Sequence, residues 1–424
     1  MPQPNRPVLS LALPLMFATS VVACTSSHGE PSSSQRGDEP GSAPGPSPAG
    51  APSSPGHQPG TPSAPSTPSE PEEDPGPPAI RFIGRSDDRD PAGPVFGWPG
   101  TRIIANFDGT EVSVRLVETP YLEGPSEWDV AIDGQWQPKV VLKAGLNDVT
   151  LARDLHPGRH RVELYKRSEG QNGVTQFLGY DFHGGALLAP PLRAKRRLEI
   201  IGDSDVSGFG YEGAALNGVC PGAAWAAHYE NFRMAWGARL AEKLGAELNG
   251  TVYSGKGFYF NIWRPDDETI GVIFPRAEPT DPTSVYDLSK FIPDAVVLAI
   301  GGNDYNIGLP EDFGPPPLDG VTEKVRELTA TLRNAYPNAF LFLMAYAVLS
   351  DTDPPGRLRR TNIETALSTV LGEHLTTGDT RVAFVAPPQY DPEELVGCDG
   401  HGGPSYHERI AQFLTVEVSK RLGW

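Results

Sequence analysis

The sequence predicts an α/β fold in two parts: a small all-β, jelly-roll-like sandwich, then a three-layer α/β/α domain built on a parallel sheet. Three observations predict it. Residues 80–192 hold short alternating strands punctuated by turn dipeptides, with no helical period. From residue 193 to 424, apolar runs of strand length alternate with stretches of helical period. That alternation pairs strands in parallel and covers both sheet faces with helices.

Ahead of both parts, "RPVLSLALPLMFATSVVAC" sets Arg6 before an apolar stretch of signal-peptide length and ends at Val21-Val22-Ala23-Cys24. A small residue before a single cysteine resembles the bacterial lipobox, which implies a lipidated Cys24 as the first residue of the mature chain. An ordinary secretory signal with a chance cysteine is the alternative. Residues 1–24 are thus expected to be a lipoprotein-type signal peptide. Residues 25–79, rich in Pro, Ser and Gly, are expected to form a disordered tether. The expected location is the outer membrane or cell surface, held there by a lipid anchor, with a periplasmic or secreted protein as the alternative. No other segment approaches the roughly 20 apolar residues of a membrane span.

In the sandwich region "EVSVRLVE" sets Val112, Val114 and Leu116 on one face and Ser113 and Arg115 on the other. "HRVELYK" repeats the pattern with Val162 and Leu164. Asp133-Gly134 is a hairpin signal, and Asp108-Gly109, Ala144-Gly145 and Pro157-Gly158 mark further turns. After Pro190-Pro191 the pattern changes. Strands are expected at 198–201, 247–253, 295–300, 340–348 and 382–386. Helices are expected at 231–244, along the face Val321, Val325, Leu328 and Leu332, at 362–371, and from about Tyr406.

Composition narrows the function. Thirty-five Lys+Arg against 53 Asp+Glu leave a net charge of −18. Such a surface argues against nucleic acid and anionic polymers and for a neutral substrate. With Cys24 assigned to lipid, Cys220 and Cys398 remain. In an oxidising compartment they are expected to be bridged, two separate buried thiols being the alternative. Two cysteines cannot make a structural zinc site, and neither CxxC nor HExxH occurs. No metal or organic cofactor is expected, and the chain is expected to be a monomer.

The chemistry centres on "EIIGDSDVSGFGYEG", residues 199–213. Its glycines match GxGxxG, yet residues 202–207 separate the strand from the first glycine, and a loop follows where a nucleotide-binding helix should begin. The glycines are therefore expected to form a flexible loop past Ser204, not a phosphate cradle. A serine nucleophile needs a base, a group to orient that base, and donors for the oxyanion. Ser204 follows strand 198–201, Gly255 in "VYSGKG" follows strand 247–253, and Asn303 in "IGGND" follows strand 295–300. Asp399 and His401 in "CDGHGG" precede the last helix. All fall on loops, the first three at consecutive strand ends, where open α/β sheets collect their active groups. The elbow of α/β-hydrolases is absent, because Val206 stands where its second glycine belongs.

The order Ser204, Gly255, Asn303, His401 in four blocks resembles the SGNH (GDS-type) hydrolase superfamily. With "GR", "FGWPGT", "VELYKRSEG", "APPL…RRLEIIGDS", "SGKG" and "GCDGH", nearly all of residues 80–424 resembles carbohydrate esterase family 2. The resemblance implies an SGNH hydrolase domain over 193–424 and a serine esterase removing O-acetyl groups from polysaccharides such as xylan or glucomannan. It implies Ser204 as nucleophile, His401 as general base and Asp399 as the acid beside it. Ser204 N–H, Gly255 N–H and the Asn303 side chain would form the oxyanion hole. Two other readings stay open: a carbohydrate-binding surface lipoprotein with an impaired site, and an esterase of small acyl or lipid esters.

The departures from the family pattern define what the structure must answer. Asp205 replaces the usual apolar residue after the serine, and a carboxylate there opposes formation of an alkoxide. Asp399-x-His401 is tighter than the superfamily's Asp-x-x-His, so a backbone carbonyl is the alternative orienting group. His407, the rival base, is expected to be a helix cap or surface residue. Asp203 and Asp304 are expected to bond their own turns. Tyr211, Trp225, Tyr259 and Trp263 are expected either to form a sugar-stacking wall or to pack in the core. A Cys220–Cys398 bridge would staple the histidine loop to the loop after Ser204.

Overall fold

A computed structural model describes residues 76–122 and 124–424. The expected leader, Cys24 and nearly all of the tether lie outside the described residues.

Ten short strands build the sandwich: β1 (Arg81–Ile83), β2 (Val95–Phe96), β3 (Arg102–Gly109), β4 (Val112–Pro120), β5 (Glu127–Ile132), β6 (Gln135–Val141), β7 (Gly145–Ala152), β8 (Gly158–Lys166), β9 (Gly173–Asp181) and β10 (Ala186–Leu187). One antiparallel sheet runs β1-β3-β8-β5-β6, with β10 also on β3, and the other runs β2-β9-β4-β7. The β5–β6 hairpin turns at Asp133 and Gly134, with φ of 50° and 77°. Those two left-handed residues match the strand twist, as Asp-Gly predicted. Val112, Val114 and Leu116 on β4 meet Val162 and Leu164 on β8 in one apolar core. Along β5, however, all six residues are buried. Alternation fails there because its second face is covered too, by the α/β part.

The α/β part begins with β11 (Arg196–Gly202), α1 (Ser204–Ser207), α2 (Trp236–Leu244) and β12 (Ala246–Val252). Short pieces follow as β13 (Trp263–Arg264) and α3 (Ile270–Ile273), then β14 (Ala295–Ala299) and β15 (Leu309–Pro310). It closes with α4 (Leu318–Ala335), β16 (Phe340–Met344), α5 (Arg359–Thr376), β17 (Val382–Val385) and α6 (Pro404–Leu422). Five parallel strands stand in the order β12-β11-β14-β16-β17. The reversal of direction beside β11 is a topological switch, where such sheets open a crevice at their carboxyl ends. β16 stops at Met344, short of the expected 348. Past that point Tyr346 leaves the sheet, and its hydroxyl donates to Asp203 Oδ2 at 2.9 Å.

Sandwich and sheet are joined through buried charge. Arg85, just after β1, donates to Glu199 Oε1 on β11 at 2.7 Å, and both side chains are fully buried. The guanidinium lies 4.6 Å from the Phe274 ring centroid and 4.9 Å from that of Tyr286. Asp129 on β5 accepts from Arg167 at 2.9 Å and from Arg233 at 2.7 Å. Among the described residues no helix is long and apolar enough to cross a membrane.

Candidate active site

A cavity of about 850 Å³ is lined by Ser204, Gly255, Asn303, Asp399 and His401 together. β11, β12 and β14 are neighbours in parallel register, so the residues following them arrive at one edge of the sheet. Parallel pairing thus gathers Ser204, Gly255 and Asn303, about 100 positions apart at most, and His401 arrives from the loop before α6.

Ser204 opens α1 directly after Asp203, whose carboxylate accepts the Asp205 N–H at 3.1 Å. The other Asp203 oxygen accepts from Asn303 Nδ2 at 3.0 Å and from the Tyr346 hydroxyl. Burial and then the charge of Asp205 push Asp203 up to about 8, opposed by the Asp205 N–H and the Tyr346 hydroxyl. Asn303 Nδ2 also donates to Lys256 O at 2.9 Å, which fixes the plane of its amide against the loop after β12. Gly255 in that loop has φ of 80°, and a Cβ there would approach Ile262 Cγ2 to 2.8 Å. Glycine is required on both counts. Neither the Ser204 nor the Gly255 N–H has a hydrogen-bond partner among the described residues.

Asp304 bonds backbone, but on another segment and not in its own turn: its buried carboxylate accepts the N–H groups of Phe258 at 2.8 Å, Tyr259 at 2.6 Å and Phe260 at 2.9 Å. Asp203 spans further than its own turn, tying the segments of Asn303 and Tyr346 to the serine. Asp205 is buried with its two oxygens accepting from the Tyr406 hydroxyl and from Trp236 Nε1, the latter at 3.1 Å. Burial pushes it up to about 6 against those two donors. Its charge is thus held between α2 and α6.

His401 Nδ1 lies 3.1 Å from the Cys398 carbonyl oxygen. A carbonyl only accepts, so Nδ1 carries the proton and Nε2 keeps its lone pair. The ring packs against Phe209, with centroids 4.4 Å apart. Burial lowers its pKa, while the charge of Asp399 and the Cys398 carbonyl raise it. No hydrogen bond joins the Asp399 carboxylate to the imidazole among the described residues. With a single residue between them and Asp399 in left-handed backbone at φ 54°, that side chain stays exposed. The hydrogen-bond partner of Nδ1 is therefore the backbone carbonyl, and Asp399 reaches the ring only through its charge.

His407 is not on the surface and does not cap its own helix. It is buried, its Nδ1 accepts the Trp236 N–H at 3.2 Å, and burial with the charges of Arg239 and His401 takes it down to about 3. The four aromatics separate: Trp225 and Trp263 line the cavity, partly exposed and edge to face at 6.3 Å. Tyr211 is buried against His407, and Tyr259 packs on Phe260.

Cys220 and Cys398 form a disulfide. Residues 208–213 are more ordered than a flexible loop, for Tyr211–Leu216 is a 3-10 helix and Gly210 O accepts the Cys398 N–H at 2.9 Å. At Gly213 a Cβ would lie 2.6 Å from both bridge sulfurs. The third glycine of the motif is thus clearance for the staple.

Tyr346, Tyr406, Ser254 and Glu169 also shape the site, and the sequence carried no signal for them. Each acts through a partner more than 80 positions away.

Comparison with known proteins matches residues 82–191 to the carbohydrate esterase 2 N-terminal family. The chain is 32% identical over 344 residues to the cellulase/esterase CelE of Acetivibrio thermocellus, covering 81% of this chain but only 39% of that protein's length. It is 25% identical over 345 residues to an acetylxylan esterase / glucomannan deacetylase of Cellvibrio japonicus, covering 81% of this chain and 88% of that one. A family two carbohydrate esterase from Clostridium thermocellum, solved in complex with cellohexaose, superposes with a TM-score of 0.73 at 30% identity. The superposition covers 82% of this chain and 100% of that one.

Proposed function

The chain belongs to carbohydrate esterase family 2, and from that membership we propose that it is a serine esterase removing O-acetyl groups from a neutral plant-wall type polysaccharide such as xylan or glucomannan. One observation carries the reading: a single cavity holds Ser204, both unpartnered N–H groups, the Asn303 amide and His401, with Trp225 and Trp263 on its wall. Two exposed indoles suit the apolar faces of neutral sugar rings.

Ser204 Oγ attacks the acetyl carbonyl carbon while His401 Nε2 takes the hydroxyl proton. The carbonyl oxygen becomes an oxyanion held by Ser204 N–H, Gly255 N–H and the Asn303 amide, which shares one hydrogen with it. Collapse breaks the bond to the sugar oxygen, which leaves as a hydroxyl with the proton from His401. Water, deprotonated by His401, then attacks the acetyl-serine, and acetate departs as Ser204 recovers its proton. The Cys398 carbonyl holds the ring in the right tautomer throughout, and the imidazolium gains from the nearby Asp399 charge.

Export, a lipid anchor at Cys24 and a monomeric state belong to the same proposal. Export and the anchor are supported by the apolar leader ending in Ala23-Cys24 and by the Pro/Ser/Gly-rich segment behind it. Acetate release from acetylated xylan and acetylated glucomannan, and hydrolysis of an aryl acetate, test the activity with wild type and Ser204→Ala. Wild type is expected to act on an acetylated polysaccharide and the variant to lose at least about 10³-fold in kcat. Equal rates for the two proteins would sink the esterase reading, and cleavage of the aryl acetate alone would sink the polysaccharide.

A further inference from the structure

Glu169 lies in the turn between β8 and β9 of the sandwich, and its side chain is fully buried. Its Oε1 accepts the Ser254 N–H at 2.6 Å, and its Oε2 accepts the Ser254 Oγ–H at 2.5 Å. Ser254 immediately precedes Gly255. With its hydrogen committed to Glu169, Ser254 Oγ is left as an acceptor, 3.2 Å from Ser207 Oγ. The single Ser207 Oγ hydrogen then goes to Ser254 Oγ, and Ser207 Oγ accepts the Phe209 N–H at 3.1 Å, which ties the Gly255 turn to α1, the short helix that Ser204 opens. A continuous set of hydrogen bonds thus runs from the sandwich to the turns bearing both unpartnered N–H groups.

Glu169 is itself braced. Its N–H donates to Glu230 Oε2 at 2.8 Å, and Glu230 Oε1 accepts from Asn172 Nδ2 at 2.8 Å. Gln171 Nε2 donates to Glu169 Oε2 at 3.2 Å. The buried Lys166 ammonium donates to Ser168 O at 2.9 Å and to Gly173 O at 3.2 Å, clamping both ends of the same turn. A buried carboxylate is costly unless it is fully hydrogen-bonded, and here two of its three bonds come from one residue of the opposite part.

We propose that Glu169 is a positioning residue for ester hydrolysis: through Ser254 it sets the Gly255 N–H, and through Ser207 it steadies the Ser204 turn. The sandwich is then part of the esterase machinery and not an appended module. The inference rests on Ser204 as nucleophile and Gly255 as oxyanion donor. Two carboxylate oxygens accept from Ser254 at two points, and Oε2 also accepts from Gln171; an amide nitrogen at Oε2 accepts neither hydrogen and faces the Gln171 donor, so Glu169→Gln loosens the turn. Displacement of an oxyanion donor by about 1 Å costs up to ~10²-fold in rate.

The test is steady-state hydrolysis of an aryl acetate together with thermal melting, on full-length variants. Glu169→Gln is expected to lower kcat about 10- to 100-fold with KM within about twofold, because the defect is in the transition state. Ser254→Ala keeps the backbone bond and is expected to lose about 3- to 10-fold in kcat. Asp129→Asn weakens the same interface away from Ser254, and is expected to melt earlier with kcat within about twofold of wild type. Wild-type kcat in folded Glu169→Gln, while Ser204→Ala is inactive, overturns the positioning role and leaves the nucleophile standing. If Glu169→Gln fails to fold, Ser254→Ala decides, and wild-type kcat there overturns the role. A loss in Asp129→Asn equal to that in Glu169→Gln overturns it too, since any loosening of the interface would then suffice. Full activity of Ser204→Ala overturns both readings.

Discussion

At the scale of single residues, the site replaces the expected acid with a peptide carbonyl. A histidine base needs one tautomer and one orientation, and a carbonyl acceptor on Nδ1 supplies both without carrying charge. Asp399 still matters as a nearby negative charge that raises the pKa of His401 against the lowering by burial. Asp399→Asn removes that upward push, so the acid limb of kcat/KM, already below the ordinary histidine value of 6.5, should move to lower pH. The sign follows from the base being active when neutral: a lower pKa preserves the neutral form further into acid. The loss in kcat should stay below about tenfold, far from the ~10⁴ expected where a carboxylate fixes the tautomer. A pH–rate profile of the variant checks both parts, and a loss near the larger figure would reinstate Asp399 as the orienting acid. Asp205 resolves differently: both oxygens of its carboxylate are engaged, by the Tyr406 hydroxyl and by Trp236 Nε1.

At the scale of elements, the segment from β11 to the 3-10 helix at 211–216 has two tasks. It presents Ser204, and it packs directly against the histidine loop through Gly210 O and through Gly213, which lies against the Cys220–Cys398 bridge. The bridge closes 178 residues, a span over which cross-linking restricts the unfolded chain by about 5 kcal/mol in the chain-entropy account. Gly213 provides the clearance for it. Gly213→Ala should destabilise by about 1–3 kcal/mol through overpacking, and kcat should fall with it because Cys398 O is displaced from His401. Thermal melting, the rate of bridge reduction by a dithiol, and aryl acetate turnover measure the three consequences. Unchanged values for all three would mean that the loop yields freely at this point.

At the scale of the whole molecule, the described residues belong to one compact unit in which the sandwich is tied to β11 by Arg85 and Glu199. The Glu199 carboxylate also accepts from Thr251 at 2.8 Å and Asn249 at 3.2 Å, so the ion pair reaches across β11 to β12. Arg85→Met preserves much of the volume and leaves Glu199 buried without its cation. The expected loss is about 3–5 kcal/mol, the usual consequence of removing one partner of a buried pair. Denaturant unfolding should show the midpoint drop, with both parts still melting in one transition. A shift of less than about 1 kcal/mol would mean that the pair adds nothing beyond packing.

How much of this was legible beforehand depends on the range of the interaction. Alternation on β4, the Asp133-Gly134 turn and the helical face from Val321 to Leu332 are local patterns, and they appear where periodicity places them. So does the gathering of Ser204, Gly255 and Asn303, because in a parallel sheet the strand ends that follow one another share an edge. The sequence by itself therefore determined the fold class and the four blocks that meet in the cavity. Tertiary structure alone decided which group orients His401, where the charge of Asp205 goes, that His407 is buried, and that Glu169 of the sandwich grips Ser254. Those outcomes depend on hydrogen bonds and burial between segments far apart in the chain. No periodicity records such contacts, since each is set by packing once the two parts have closed on one another.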